Sequence, residues 1–327
     1  MSGESGAGKT ESCREIVKYL AHHSRHASGD LAAALIAANP LIEAFGCAVT
    51  TRNKNSSRFG KLMQIWTSAD ASGALNASTV VTYLLEKGRV SHHAPGEQSF
   101  HAFYYLAAAA AAEAEAEAEA PVDWSQLEWL TAHAKSEPFR LLQPAGASEA
   151  EPVEEASAAS RVAIFTEICA ALRTLGGSAD EVREAWGVIG AILALGQIKF
   201  EEEGEAGKQT DAETHGAQNA GATDEGKATM PESSDAALDA AAAALGVESI
   251  ALRKRLLTRT VVSGRGSNYI IRYSVGAALS CRDGLCHELY DRLFRWIVSV
   301  ANRSLGGSPA ETGGARCISI LDIFGFE

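Results

Sequence analysis

The segment that most constrains this chain is Gly3-Glu4-Ser5-Gly6-Ala7-Gly8-Lys9-Thr10, a complete match to G-x-x-x-x-G-K-[ST]. Such a loop answers a specific physical demand. A triphosphate carries several negative charges and needs many donors at close range. Glycines let the backbone turn tightly and present successive N–H groups as an anion nest. The helix that follows adds the partial positive charge of its N-terminus. Lys9 supplies a full charge toward the β- and γ-phosphates, and Thr10 offers a hydroxyl to Mg²⁺. The confirming context is strand, loop, helix. Ile16, Val17 and Leu20 give the following residues one apolar helical face. The preceding strand is missing, because the sequence opens just before the loop. Taken alone, the same residues also fit a glycine-rich surface loop.

A phosphate loop hydrolyses nothing by itself. It needs a group that holds Mg²⁺ from the other side, a group that places water, and a sensor of the γ-phosphate. Two segments have the residue types. Asn53-Lys54-Asn55-Ser56-Ser57-Arg58-Phe59-Gly60-Lys61 sets amides, hydroxyls and a guanidinium just before an expected strand. The hydroxyls suit Mg²⁺ and a phosphate oxygen, although a solvated turn favours the same residues. Asp322-Ile323-Phe324-Gly325-Phe326-Glu327 places an acid at the end of an apolar run, the Walker B arrangement, and Gly325 lets a backbone N–H approach a phosphate. A strand end followed by a turn is the competing account.

Between these segments the pattern is mostly helical. A helix is expected over 31–38 with Pro40 just past its end, then a hairpin of strands at 61–68 and 78–85. Residues 100–106 begin a helix that runs into alanines and alternating Glu-Ala up to 120, both good helix formers. Further helices are expected at 157–175, 179–197, 235–245 and 274–305, with a strand-and-loop excursion at 259–273. Residues 204–235 are acidic, glycine-rich and nearly free of apolar side chains, which predicts a disordered insertion. Residues 317–323 (CISILDI) are expected to form a buried strand. His22, His23 and His26 lack a neighbouring carboxylate or cysteine and read as loop residues, while Cys281, Cys286, Tyr290, Phe294 and Trp296 read as helix packing.

Bulk properties exclude several classes. With 327 residues, 46% apolar and 21% charged, the chain is long enough to bury a sizeable core. A net charge of −12 argues against a nonspecific nucleic-acid binder. No uninterrupted apolar run is long enough to span a membrane. The six cysteines form no CxxC pair and the start is no signal peptide, so a reducing, cytoplasmic setting is the expectation.

Taken together, GESGAGKTE, NKNSSRFGK and DIFGFE resemble the P-loop, switch I and switch II of the myosin motor domain, in that family's order. NPLIEAFG, YLLEKGRV, GEQSFHAFYYL, LGQIKFEEE and RDGLCHELYDRLFRWIV extend the resemblance over nearly the whole chain, apart from 107–120 and 204–235. The resemblance implies an α/β fold: a P-loop NTPase core with a mixed central sheet and a mostly helical upper subdomain, truncated at both ends. Residues 1–110 would carry the P-loop and switch I part of the core, 121–315 the helical subdomain, and 316–327 the switch II strand and loop.

It further implies ATP and Mg²⁺ as the bound species. Residues Gly3, Glu4, Ser5, Gly6, Ala7, Gly8, Lys9 and Thr10 would bind ATP together with Asn53 and Asn55. Thr10 and Ser57 would ligate Mg²⁺, which Asp322 would reach through water. Ser56 and Ser5 would lie beside the γ-phosphate, the Gly325 amide would bind it, and Arg58 and Glu327 would form a salt bridge joining the two switches. An actin-activated ATPase on the actin cytoskeleton, within a myosin complex, is the implied activity, with actin filaments as partner and light chains bound outside this sequence. The relay helix, converter and lever arm would likewise lie outside it. Arg259 and Arg265 fit either an actin contact or a solvated loop. A non-catalytic remnant that binds nucleotide or actin without motor activity is the competing reading.

Overall fold

The computed structural model describes residues 7–23, 29–68, 75–113, 124–143, 157–204, 227–262, 268–306 and 316–323. Gly8 sits at φ 78°, a left-handed conformation that glycine adopts without strain. Helix α1 (Lys9–His23) starts immediately after it and buries Cys13 and Val17.

Helix α2 (Gly29–Gly46) corrects the expectation of a helix ending before Pro40, since it continues through the proline. Leu35, Ala38, Leu41, Ile42 and Phe45 are all fully buried. Their spacing forms one continuous stripe. Burial of each large side chain contributes about 1.5–3 kcal/mol. Their sum exceeds the ~3 kcal/mol that a proline costs inside a helix.

The end of α2 delivers the chain to the site. Strand β1 (Cys47–Ala48) pairs antiparallel with β2 (Ser56–Ser57), setting Cys47 opposite Ser57. Arg58 donates its backbone N–H to the Gly46 carbonyl at 2.9 Å. A Cβ on Gly46 would stand 2.2 Å from the Phe59 ring, so only glycine lets the two segments approach this closely. Strand β3 (Gly60–Thr67) then pairs with β4 (Leu75–Tyr83), giving the expected hairpin with its second strand shifted toward the N-terminus.

Strand β9 (Arg316–Asp322) pairs with the other side of β3, so the sheet order is β4-β3-β9. Both pairings are antiparallel. The coarse α/β class holds, while the described residues show no parallel pair within this sheet. Strand β9 is also not the buried strand its apolar run suggests. Ile318 and Leu321 are 39% and 45% exposed, whereas Asp322 is only 4% exposed. The reason is position: β9 lies at the sheet edge, and the described residues leave its outer face uncovered.

The rest is helical: α3 (His101–Glu113), α4 (Glu128–Ser136), α5 (Ala158–Thr174), α6 (Ala179–Gln197), α7 (Asp235–Leu245), α8 (Ser249–Leu257) and α9 (Val275–Ser304). Helix α6 opens on a capping box, in which Ser178 and Glu181 each satisfy a free N–H of the other. Its residues Ile189, Ile192, Leu193 and Leu195 are fully buried. Helix α8 has no counterpart among the expected elements, while β7 (Thr258–Val262) and β8 (Asn268–Arg272) form the expected excursion. Helix α9 locks onto the rest of the fold at two places. Asn302 brackets Val80 of β4 with two bonds of 2.8 Å. Tyr290 donates its hydroxyl to the Phe45 carbonyl at 2.7 Å. That carbonyl belongs to the last turn of α2, where no helical partner exists.

The expected insertion at 204–235 is corrected at its C-terminal end. Strand β5 (Glu201–Glu202) pairs with β6 (Ala228–Thr229), and Ala228 and Ser234 are buried. Ser234 accepts from the Lys199 amide at 2.9 Å. Low overall hydrophobicity hid a few well-placed anchors. The remainder of that segment and the Glu-Ala tract beyond Glu113 lie outside the described residues.

Candidate functional site

Three distant segments converge on one oxygen-rich junction. Thr10, in the first turn of α1, donates its hydroxyl to Asp322 Oδ2 at 2.8 Å, and its Oγ1 lies 3.3 Å from Ser57 Oγ. The single hydroxyl hydrogen of Thr10 points to Asp322, so the Ser57 hydroxyl is the donor toward Thr10. Asp322 arrives at the end of β9, where its register partner is Lys61 of β3. Lys61 is itself buried and donates to Asn39 Oδ1 at 3.2 Å. Ser57 also accepts from the Cys47 thiol at 3.6 Å. Burial pushes that thiol up to about 12, with the nearby Glu43 charge a lesser cause, so Cys47 is a protonated packing group. Cys13 is likewise pushed up, by burial first and by the Asp322 charge second.

The arrangement suits a hard cation. Two hydroxyls and a carboxylate are the oxygen donors that Mg²⁺ favours. Among the described residues no cluster of three or more His, Cys, Asp or Glu is placed to hold a metal ion. The candidate Mg²⁺ donors among the described residues are the Thr10 and Ser57 hydroxyls and the Asp322 carboxylate.

The remaining expected residues fall into two sets. Gly3, Glu4, Ser5, Gly6, Gly325 and Glu327 lie outside the described residues. Ala7 and Gly8 are exposed, and Lys9 is half-buried at the start of α1. Ser56 is buried and accepts from Arg58 Nη1 at 3.2 Å. Arg58 is also ion-paired with Glu86, which in turn accepts from Arg89 at 3.1 Å. Asn53 shapes the turn between β1 and β2: its side-chain oxygen accepts from the Asn55 amide at 2.9 Å. The turn expected for this segment is therefore present.

Asn55 is spent on neighbours of its own. Its Nδ2 donates to Glu43 Oε2 at 3.4 Å, and its Oδ1 lies 3.0 Å from His101 Nε2. Burial, followed by the Arg161 charge, pushes His101 down to about 4, so its ring is neutral near pH 7. Because Asn55 Oδ1 can only accept, His101 carries its proton on Nε2.

Glu43, Glu86 and His101 are site neighbours that no motif disclosed. Glu43 had a signal in sequence, since an acid within an apolar helical stripe is seldom buried without a partner. Glu86 and His101 had none beyond lying in stretches that resemble the family. Among the described residues no helix is long and apolar enough to cross a membrane.

Residues 1–327 match the family model for the myosin head (motor domain). The chain is 32% identical over 333 residues to the Myosin IE heavy chain of Dictyostelium discoideum, covering 100% of this chain and 29% of that protein. It is 33% identical over 338 residues to Myosin-14 of Homo sapiens, covering 100% of this chain and 14% of that one. It is 34% identical over 339 residues to Myosin-3 of Candida glabrata, covering 100% of this chain and 23% of that one. The chain therefore spans less than a third of the length of these relatives.

Proposed function

The chain belongs to the myosin head family, and on that premise we propose that it is a motor-domain fragment that binds MgATP at the Thr10–Ser57–Asp322 junction and, within the intact parent protein, hydrolyses it to drive movement along actin filaments. The observation that carries this reading is the meeting of the three side chains across 312 positions of sequence, with Thr10 2.8 Å from Asp322. A P-loop NTPase core accounts for that meeting, because its phosphate loop and the end of a neighbouring strand flank one metal–phosphate site. In this reading residues 1–110 carry the P-loop and switch I, 121–315 form the helical upper subdomain, and 316–327 carry the switch II strand and loop.

The roles follow from the donors each residue has. Asp322 accepts the hydrogen bond of the Thr10 hydroxyl, which leaves lone pairs on the Thr10 oxygen for a cation. Thr10 and Ser57 would hold Mg²⁺, and Asp322 would reach it through water. Mg²⁺, when bound, neutralises phosphate charge and fixes the phosphates in place. Gly3, Glu4, Ser5, Gly6, Ala7, Gly8 and Lys9 hold the triphosphate, with Asn53 and Asn55 on the switch I side. Ser56, Ser5 and the Gly325 amide border the γ-phosphate. A water oxygen bonds to the γ-phosphorus as the bond to the bridging oxygen breaks, releasing ADP and an inorganic phosphate that carries both protons of the water. Lys9 and the loop amides stabilise the charge that develops. Arg58 and Glu327 pair when both switches close, which excludes bulk water. The setting is cytoplasmic, on the actin cytoskeleton within a myosin complex, with light chains bound elsewhere.

Charge reversal tests this reading. Arg58→Glu and Glu327→Arg should each abolish phosphate release while fluorescent MgATP still binds, and the double reversal should restore part of the rate. Phosphate release at the unmodified rate in either single variant would overturn the assignment. Stimulation of the unmodified chain by filamentous actin tests the partner.

A further inference from the structure

Arg58 is held by a relay of side chains that belongs to no motif. Its backbone carbonyl accepts the Glu86 N–H at 2.9 Å, and its Nε donates to Glu86 Oε2. Its Nη1 donates to Ser56 Oγ at 3.2 Å. Two of its three guanidinium nitrogens are thereby directed, and with them the plane of the rigid group. Glu86 is fixed in turn. Arg89 grips both of its carboxylate oxygens, Nε on Oε2 at 3.1 Å and Nη2 on Oε1 at 3.4 Å. Arg89 itself is 5% exposed, and its Nη1 donates to Glu97 Oε2 at 2.8 Å and to the Gln98 carbonyl at 3.2 Å. Every guanidinium nitrogen of Arg89 is used within the fold. The backbone bends to allow this. Leu84, just after β4, sits at φ 52°, a region unfavourable for leucine, and its exposure of 82% means that its own packing does not hold it there. Strain of this kind persists where surrounding contacts impose it, and it gathers at functional sites.

Stability does not account for the relay. The Glu86 side chain is 43% exposed, and ion pairs this open to water stabilise a fold little. Orientation is what such a relay supplies. A long side chain loses rotamer freedom when it forms a bridge, and one already held in the productive pose loses less. We propose that Glu86, clamped by Arg89, is a positioning residue that holds the Arg58 guanidinium in the pose from which it bridges the two switches. The inference rests on the proposed function, which places Arg58 in that bridge. Glu86 acts on hydrolysis only through Arg58. Its loss therefore lowers the fraction of bound nucleotide that reaches the closed, hydrolysing state, and leaves the grip of the phosphate loop on MgATP as it was.

Glu86→Gln in the full chain is the test, because it removes the charge and keeps the length of the side chain. Phosphate release at saturating MgATP should slow by about tenfold or more. Affinity for fluorescent MgATP should change by less than about twofold, and the melting temperature by no more than about 3 °C. Glu86→Asp, which restores the carboxylate, should recover part of the rate. A rate that rises in Glu86→Gln would show that Glu86 restrains Arg58, and an unchanged rate would show that it does nothing to it; either overturns the proposal. So does a large fall in melting temperature with the rate intact. A second readout does not depend on hydrolysis. The NMR signal of the Arg58 Nε–H should exchange with solvent several-fold faster in Glu86→Gln than in the unmodified chain. If the unmodified chain releases no phosphate, or if Arg58→Glu releases it at the unmodified rate, the failure lies with the proposed function. The Nε–H signal then judges Glu86 by itself, and exchange unaltered by Glu86→Gln overturns the relay.

Discussion

The Thr10–Ser57–Asp322 junction and the aromatic core around Phe45 are held together by opposite means. At the junction the contacts are two oxygen–oxygen hydrogen bonds in a partly buried setting. Each contributes only about 0.5–1.5 kcal/mol net. In the core, Trp186 packs its ring 5.4 Å from Phe45 and 4.6 Å from Phe165, while Tyr290 stacks on Phe100 at 4.6 Å. Fully burying rings of this size stabilises far more than the junction's bonds. The junction therefore does not hold itself in place. The core sets where α2 ends, α2 sets where Ser57 and Phe59 lie, and the sheet sets where Asp322 lies. Stability and chemistry are assigned to different residues, linked through Gly46, Phe59 and Phe294.

Trp186→Ala should give the largest effect, a loss of about 3–5 kcal/mol in denaturant melts, from the cavity left among Phe45 and Phe165. Equal melting would mean that the core does not carry the fold.

Thr10→Ala should do the reverse. Fluorescent-nucleotide titration should show MgATP binding weakened on the order of 10–100-fold, equivalent to roughly 1.4–2.8 kcal/mol, with melting changed by no more than about 1 kcal/mol. A large drop in stability with affinity intact would merge the two regions.

Gly46→Ala should blur the comparison by design. Its Cβ would stand 2.2 Å from the Phe59 ring, which in turn packs edge-on to Phe294 at 5.0 Å. Overpacking of this kind costs about 1–3 kcal/mol, and displacement of Phe59 should weaken MgATP as well. Calorimetry and nucleotide titration on the same sample would show both losses; a loss in only one would break the proposed link.

The smallest effect should come from pH. Burial, with Arg161 as a second cause, lowers His101 to about 4 in the folded chain. The unfolded chain titrates near the ordinary ~6.5. Between these values the unfolded chain binds a proton that the folded chain excludes. Stability from this group is therefore complete above ~6.5 and falls as the pH drops toward about 4. His101 keeps partial solvent contact, so the loss should be on the order of 1 kcal/mol. His101→Gln retains a donor for Asn55, and its melting profile should lack this component when the two are subtracted.

Part of the candidate site and part of the fold were legible in the chain itself, each for a stated reason. Lys9 and Thr10 stand in a complete local phosphate-loop pattern, whereas the residue types around Ser57 and Asp322 also fit a turn and a strand end, and it is the family resemblance that singles them out. The boundaries of α6 were legible because Ser178 and Glu181 cap it locally and its apolar period is unbroken. Local signals misled where burial overruled them. Pro40 lies inside α2 because the stripe from Leu35 to Phe45 is buried on both sides of it. The apolar run of β9 forms an exposed edge, because a run of isoleucine and leucine does not say which face finds a partner.

The sequence by itself determined the phosphate-loop pattern at 3–10 and the residue types that flank it in the other two segments. Only the tertiary structure decided that Thr10, Ser57 and Asp322 meet and that Asn55 turns toward Glu43 and His101. A motif encodes chemistry within a few residues, where spacing along the chain equals spacing in space. Contacts between segments tens to hundreds of positions apart depend on how helices and strands pack, and that information is spread over the whole core.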